Sequence, residues 1–230
     1  MKILRTLGTL LIVAGLLMLV WAGVVWRWQD PFSALYTKYE QRQLSKQYAA
    51  LAKGFHAAPT APQSIGAEQE ALAALAARYR KQTHAGQAIG HIVVPRLGLD
   101  MVLVDGTDEA SLKRGPGRDL RTFMPGQGQL IYIAGHRTTY LAPFAHIDKL
   151  RAGDEVRLEV PYGTFVYRVR NHRVVPASDL SVLRSHGKEV VILQACHPRF
   201  FASHRYLAYA MPVRVEPNGM RPYPVATAAG

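Results

Sequence analysis

The sequence predicts an all-β domain, a closed barrel or a sandwich with one or two short helices, carried behind a membrane-spanning helix and a partly helical stalk. Three observations predict it. The first charge-free run is long enough to cross a bilayer. The next stretch is Ala- and Gln-rich and interrupted by prolines. From about Gly86 onward, short β-rich runs alternate with Gly, Asp and Pro punctuation, a texture that favours barrels and sandwiches.

Residues 6–26 read TLGTLLIVAGLLMLVWAGVVW, 21 residues without a charge, and a helical crossing needs about 20. Lys2 and Arg5 precede the run, so the positive-inside tendency places the amino terminus in the cytoplasm and the rest of the chain outside. Trp21, Trp26 and Trp28 cluster at the far end, where indole rings favour the headgroup layer. A cleaved signal peptide is the competing reading, with an apolar core of about 7–15 residues before a small-residue cleavage site. Here the run is longer and ends in Val-Val-Trp-Arg-Trp, so residues 1–26 are expected to be a cytoplasmic stub and an uncleaved anchor of the cell membrane.

Residues 27–86 read as a juxtamembrane stalk. A helix rich in Tyr, Gln and Lys is expected over 31–53. The AAPTAP run at 57–62 breaks it, because proline lacks an amide donor and fixes its own φ. A second helix is expected over 64–82, with Ser64 as N-cap. Its apolar residues Leu72, Leu75, Ala76 and Tyr79 share a face. That face packs on the domain or on a partner, or simply belongs to a spacer helix, which is the expectation here.

Residues 87–216 form the expected folded domain. Strands are predicted at 89–94, 99–104, 130–134, 155–160, 164–175, 189–195 and 205–215 from their β-branched and aromatic content. The segment TDEASLKR at 107–114 predicts one short helix, with Thr107 capping and acid in its first turn. Residues 217–230, rich in Pro, Gly and Ala, are expected to be a flexible tail.

Composition narrows the function classes. The chain has 230 residues, 49% hydrophobic and 19% charged, which suits one folded domain with appendages. Net charge is +12, but Lys and Arg are scattered, with no basic and aromatic interleaving. No nucleic-acid groove is expected from that pattern. The excess charge suits anionic lipid or cell-wall polymer, or is an ordinary solvated surface. With one cysteine, Cys196, no internal disulfide can form; the thiol is either a reactive group or a buried inert one. His146, His172, His186 and His204 lack a shared metal-ligand spacing, and Asp105, Asp108 and Glu109 supply too few oxygens for calcium. No metal and no cofactor is expected.

Three residues sit at predicted strand boundaries, where a rigid scaffold presents side chains to a ligand. His136 follows LIYIAG, Cys196 follows VVILQA, and Arg205 opens RYLAYAMPV nine residues later. Acyl transfer asks for such a set: a nucleophile, a proton handler and a donor for a developing oxyanion. Each also has an ordinary reading, as a core thiol, a turn histidine and a solvated arginine.

The surrounding words carry a resemblance. IVVPRLGLDMVLVDGT, LKRGPGR, MPGQGQLIYIAGHRTTYLAPFAHIDKLRAGDEV and VVILQACHPRFFASHRYLAYA resemble the sortase family, and look nearest to class E sortases of high-GC Gram-positive bacteria. AGHRTT followed by PF-x-x-I-x-x-L-x-x-GD, together with LxxCHP-x-x-x-x-x-x-RY, is the specific part. The resemblance implies a closed eight-stranded β-barrel and a cysteine transpeptidase with Cys196, His136 and Arg205 as catalytic residues. It implies cleavage of an LPXTG- or LAXTG-type sorting signal after Thr, through a Cys196 thioester. Its partners would be surface proteins bearing that signal, and a cell-wall precursor or other amine as acceptor. The family's Thr-Leu-x-Thr-Cys is here Ile192-Leu193-Gln194-Ala195-Cys196, so Ala195 stands where a hydroxyl is expected beside the substrate. Arg137 and Tyr140 line the groove, or are a solvated arginine and a packed tyrosine. His197, one residue past the nucleophile, is expected on the opposite face. A hydrolytic cysteine peptidase and a non-catalytic wall-binding barrel remain the alternatives.

Overall fold

The computed structural model describes residues 2–28, 31–55 and 64–225. Three helices come first: α1 (Lys2–Trp28), α2 (Pro31–Gly54) and α3 (Ile65–Gln82). The strands β1 (Ala88–Val94) and β2 (Leu99–Asp105) follow, then the short helix α4 (Glu109–Arg114) and the strands β3 (Gly117–Arg118) and β4 (Leu130–Ala134). The chain continues through β5 (Glu155–Val160), β6 (Gly163–Pro176), β7 (Val190–His197), β8 (His204–Pro217) and β9 (Tyr223–Pro224). The strands run β6-β5-β1-β2-β3-β4-β7-β8-β9, and a further β6–β8 pairing closes the first eight into a barrel. Closure removes the sheet edges that would otherwise be open to pairing with other chains. The strand β9 is added on the outside of β8.

The alternation along the strands explains the core. In β5 every second residue is buried, so Val156, Leu158 and Val160 point inward and the charged Glu155, Arg157 and Glu159 do not. Ile92, Leu103, Ile133, Phe165, Tyr167, Val191 and Leu193 join them in one interior cluster. A charged pair is also sealed in: Arg118 and Asp105 are 1% and 0% exposed, with Nη2 and Oδ1 2.6 Å apart. Arg118 Nη1 also donates to the Thr122 carbonyl at 2.6 Å. Burial raises the pKa of Asp105 and lowers that of Arg118, while each partner's charge opposes the shift.

The two-residue strands β3 and β9 are not predicted from the sequence, because two residues carry no periodicity; β9 also corrects the expected flexible tail over 217–230, since Tyr223 pairs with Val215 and is buried in the interior cluster. The cap of α4 is Asp108, whose side chain accepts from Ser111 N at 3.0 Å; Thr107 instead donates to Asp119. Ser64 does cap α3, accepting from Ala67 N.

The largest departure concerns α3. Leu72, Ala76 and Tyr79 are at most 1% exposed and sit in the interior cluster. Tyr79 also donates to the Ile89 carbonyl at 3.0 Å. The helix expected as a spacer is thus a lid over the barrel's interior. The helix α2 packs on the outside: Leu44 is 0% exposed beside Val102 and Val104, and the Gln41 amide bonds both Val102 N and Val102 O.

In α1, the stretch Lys2–Val24 has mean hydropathy 2.4 and is unburied, long and apolar enough to cross a membrane. The Trp26 and Trp28 side chains, the 57–62 break and the tail beyond Val225 lie outside the described residues.

Candidate active site

The site is built where β4, β7 and β8 lie side by side. Strands β4 and β7 are parallel, with Ala134 opposite Gln194. Gly135 N continues the ladder by donating to the Gln194 carbonyl at 3.0 Å. His136 and Cys196 come one and two residues beyond that last rung, on adjoining strand ends. On the other side β7 and β8 are antiparallel, and Cys196 is opposite Arg205. Three residues distant in sequence therefore stand in a row across three neighbouring strands.

Their side chains line one cavity of about 270 Å³ with Tyr132, Ala134 and Gln194. Ala134, His136, Gln194 and Cys196 share it because alternate strand residues share a face. Its apolar wall comes from α4 (Leu112) and from the β6–β7 connection (Leu180, Val182, Leu183). Asp179 holds that connection by accepting from Ser181 N, which caps the turn Leu180–Leu183. Asp119 and Arg121 complete the rim as a two-point ion pair, Nε to Oδ1 at 2.9 Å and Nη2 to Oδ2 at 2.7 Å.

The GH of AGHRTT has a packing reason. A Cβ on Gly135 would lie 2.7 Å from the Phe144 ring, so only glycine lets the Phe144 side chain close under the histidine loop. Phe144 N in turn donates to the His136 carbonyl at 3.1 Å. The His136 ring is half-buried, 4.9 Å from the Tyr140 ring, and its buried Nε2 has no hydrogen-bond partner among the described residues. Burial lowers its pKa from the usual histidine range; Glu109 pulls it up and Lys113 pushes it down.

Cys196 is a free, half-buried thiol. Arg205 Nη1 donates to the carbonyls of Ala202 and His204 at 2.8 and 3.0 Å. Those bonds tie the guanidinium to its own loop and leave Nε and Nη2 without a protein partner among the described residues.

Two residues expected at the groove stand elsewhere. Ala195 is 0% exposed inside the interior cluster, on the opposite face of β7 from Cys196. Arg137 is 5% exposed and serves as a structural tie. It donates to Asp148 Oδ1 at 2.9 Å and to the Cys196 carbonyl at 3.3 Å, and lies 3.1 Å from His197 Nδ1. His197 thus faces Arg137, away from the cavity. Tyr140 contacts the His136 ring without lining the cavity. No group of three or more His, Cys, Asp or Glu suited to a metal occurs among the described residues.

The fold and site together define a closed eight-stranded barrel that holds a thiol, an imidazole and a guanidinium in one rim cavity. The Sortase domain profile matches residues 92–213, and the chain belongs to the sortase family. It is similar to sortase D of Bacillus subtilis, 33% identical over 128 residues that are 54% of this chain and 63% of that protein. It is also similar to sortase SrtE1 of Streptomyces coelicolor, 28% identical over 149 residues, 58% of this chain and 42% of that protein. The chain thus spans under two thirds of the length of these relatives. Among solved structures, sortase E1 of Streptomyces coelicolor with a tripeptide in its active site has a TM-score of 0.54 and 26% identity, covering 58% of this chain and 92% of that one. A Clostridium perfringens sortase D5 transpeptidase shares the fold, with a TM-score of 0.60 and 21% identity, covering 76% of this chain and 99% of that one.

Proposed function

We propose that this chain is a membrane-anchored cysteine transpeptidase that cuts an LPXTG- or LAXTG-type sorting signal after Thr and passes the acyl group to a cell-wall amine. The observation that carries the reading is the shared cavity of His136, Cys196 and Arg205. In this reading Cys196 Sγ, as thiolate, attacks the threonine carbonyl carbon. Arg205 donates to the resulting oxyanion through its unengaged N–H groups. The C–N bond to glycine then breaks, and protonated His136 gives its proton to the departing amine. An incoming amine attacks the thioester carbonyl, loses its proton to His136, and releases the Cys196 thiolate. Leu112, Val182 and Leu183 suit the aliphatic part of the signal. Anchorage through α1 supports the same reading, since tethering enzyme and membrane-borne substrate to one surface raises their effective concentration.

The test is a signal peptide, LPXTG or LAXTG, incubated with and without an added amine. Mass spectrometry should find an acyl adduct on Cys196, absent in Cys196→Ala. Amine-dependent ligation identifies a transpeptidase, hydrolysis alone a peptidase. No adduct with either peptide would leave a non-catalytic barrel.

A further inference from the structure

The backbone after His136 is held in an unusual shape. Tyr140, Leu141 and Ala142 have φ of 52°, 60° and 39°, three consecutive non-glycine residues in the left-handed region that L-residues disfavour. Such a segment persists only where its surroundings hold it. Part of that hold comes from outside the barrel. Tyr140 N donates to Ser33 Oγ of α2 at 3.1 Å, across more than a hundred residues of sequence. The Tyr36 ring, one turn further along α2, meets the Tyr140 ring edge-on at 6.5 Å. The other face of the Tyr140 contact is His136 itself, at 4.9 Å.

The same stretch of α2 grips α4, which carries Glu109 and Lys113, whose charges act on His136. Thr37 Oγ1 donates to the Lys113 carbonyl at 2.8 Å, Gln41 Nε2 to the Arg114 carbonyl at 2.8 Å, and Glu40 pairs with Arg114 Nε at 2.8 Å. The imidazole thus sits between two elements, the 137–142 loop and α4, that are both tied to one helix.

We propose that α2, the helix next after the apolar α1, is a positioning element for His136, acting through Ser33 and Tyr36 on Tyr140. Neither residue lines the cavity or touches reacting atoms. The proposal rests on His136 being the proton-transfer group of the reaction. It gives α2 a role beyond reach: the segment that leaves the membrane completes the geometry of the site. A loop freed from α2 relaxes out of its left-handed backbone and takes the Tyr140 ring away from the imidazole.

The single cysteine makes the test direct. Iodoacetamide can alkylate only Cys196 among thiols, so its rate against pH reads the thiol and whatever titrates beside it, without a peptide substrate. The full chain in detergent is compared with Tyr36→Ala, Tyr36→Phe, Ser33→Ala and His136→Ala, alongside kcat and KM for the signal peptide. Tyr36 is half exposed, so the substitution spares the core. Tyr36→Ala is expected to lower kcat roughly tenfold to a hundredfold with KM little changed, since small misplacements of catalytic groups cost that much. Its alkylation profile should move toward that of His136→Ala, at wild-type Tm. Tyr36→Phe keeps the ring and should match wild type; Ser33→Ala should follow Tyr36→Ala and replaces it if that variant is unstable. Wild-type kcat and profile in Tyr36→Ala and Ser33→Ala, with His136→Ala altered, would overturn the positioning role alone. A profile unmoved by His136→Ala would remove the underlying reading and this proposal with it.

Discussion

Cys196 and Arg205 stand directly opposite one another on the antiparallel strands β7 and β8. The short 198–203 connection joins the two strands, both side chains line the same cavity, and bonds to the Ala202 and His204 carbonyls fix one nitrogen of the guanidinium. In the proposed mechanism an arginine so held offers its remaining donors to the oxyanion without reorganising. Arg205→Ala should therefore lower kcat/KM by about 10²–10³, the usual loss for one oxyanion donor. Arg205→Lys should recover only part, because an ammonium lacks the planar fork. Steady-state kinetics with a signal peptide checks both; unchanged kcat/KM in Arg205→Ala would sink the assignment.

The charges around His136 predict the direction of its titration. Burial already holds its pKa low, so the protonated form that the proposed mechanism uses for leaving-group departure is lost as pH rises through that lowered value. Glu109→Gln removes an anion that favours the imidazolium, so the limb assigned to His136 should move to lower pH. Lys113→Met removes an opposing cation and should move it to higher pH. The two partners are ion-paired at 2.6 Å and exposed on the Glu109 side, so both shifts should shrink at high salt. The measurement is kcat/KM against pH at two ionic strengths.

Much of this arrangement was legible in the sequence, for identifiable reasons. Strands such as β5 announce themselves by alternation, and His136, Cys196 and Arg205 by their place at strand ends. Ala195 stands in the barrel interior rather than at the groove, as the alternation along β7 requires, whereas Arg137 lies in the bend after β4, where no strand period applies. Asp119 and Arg121 were missed because they sit in an irregular loop without a periodic signal. The apolar face of α3 was visible in Leu72, Ala76 and Tyr79, but a face does not name what covers it. That the interior of the barrel covers it depends on how far apart segments meet, which no local pattern encodes.

That packing sets where the chain can be cut. A fragment beginning at Pro31 keeps α2 and α3 and should fold with a cooperative melt. One beginning at Gln87, where strand patterning alone would start the domain, loses Leu44, Leu72, Ala76 and Tyr79 from buried positions. Removing even one such side chain costs about 2–5 kcal/mol, so the shorter fragment should be aggregated or molten. Circular dichroism melts and gel filtration of the two decide it; equal Tm values would show α3 to be dispensable.

Ala195 offers a test of what the residue before the nucleophile does. The family pattern has threonine there, and a loss of substrate contact is the obvious inference from its absence. The geometry argues otherwise. Ala195 is fully buried among apolar side chains, on the face of β7 that looks into the barrel, while Cys196 and Gln194 look into the cavity. Ala195→Thr therefore puts a methyl and a hydroxyl into a packed interior. Overpacking costs about 1–3 kcal/mol, and an unpartnered hydroxyl adds about 1–3 kcal/mol on mutational scales. The expected result is a lower Tm with kcat/KM for both signal peptides within about threefold of wild type, below the 1.4 kcal/mol that a tenfold change represents. A tenfold gain in kcat/KM at unchanged Tm would mean that the hydroxyl reaches the reacting atoms after all, and that the barrel interior is less closed at this strand end than its burial implies.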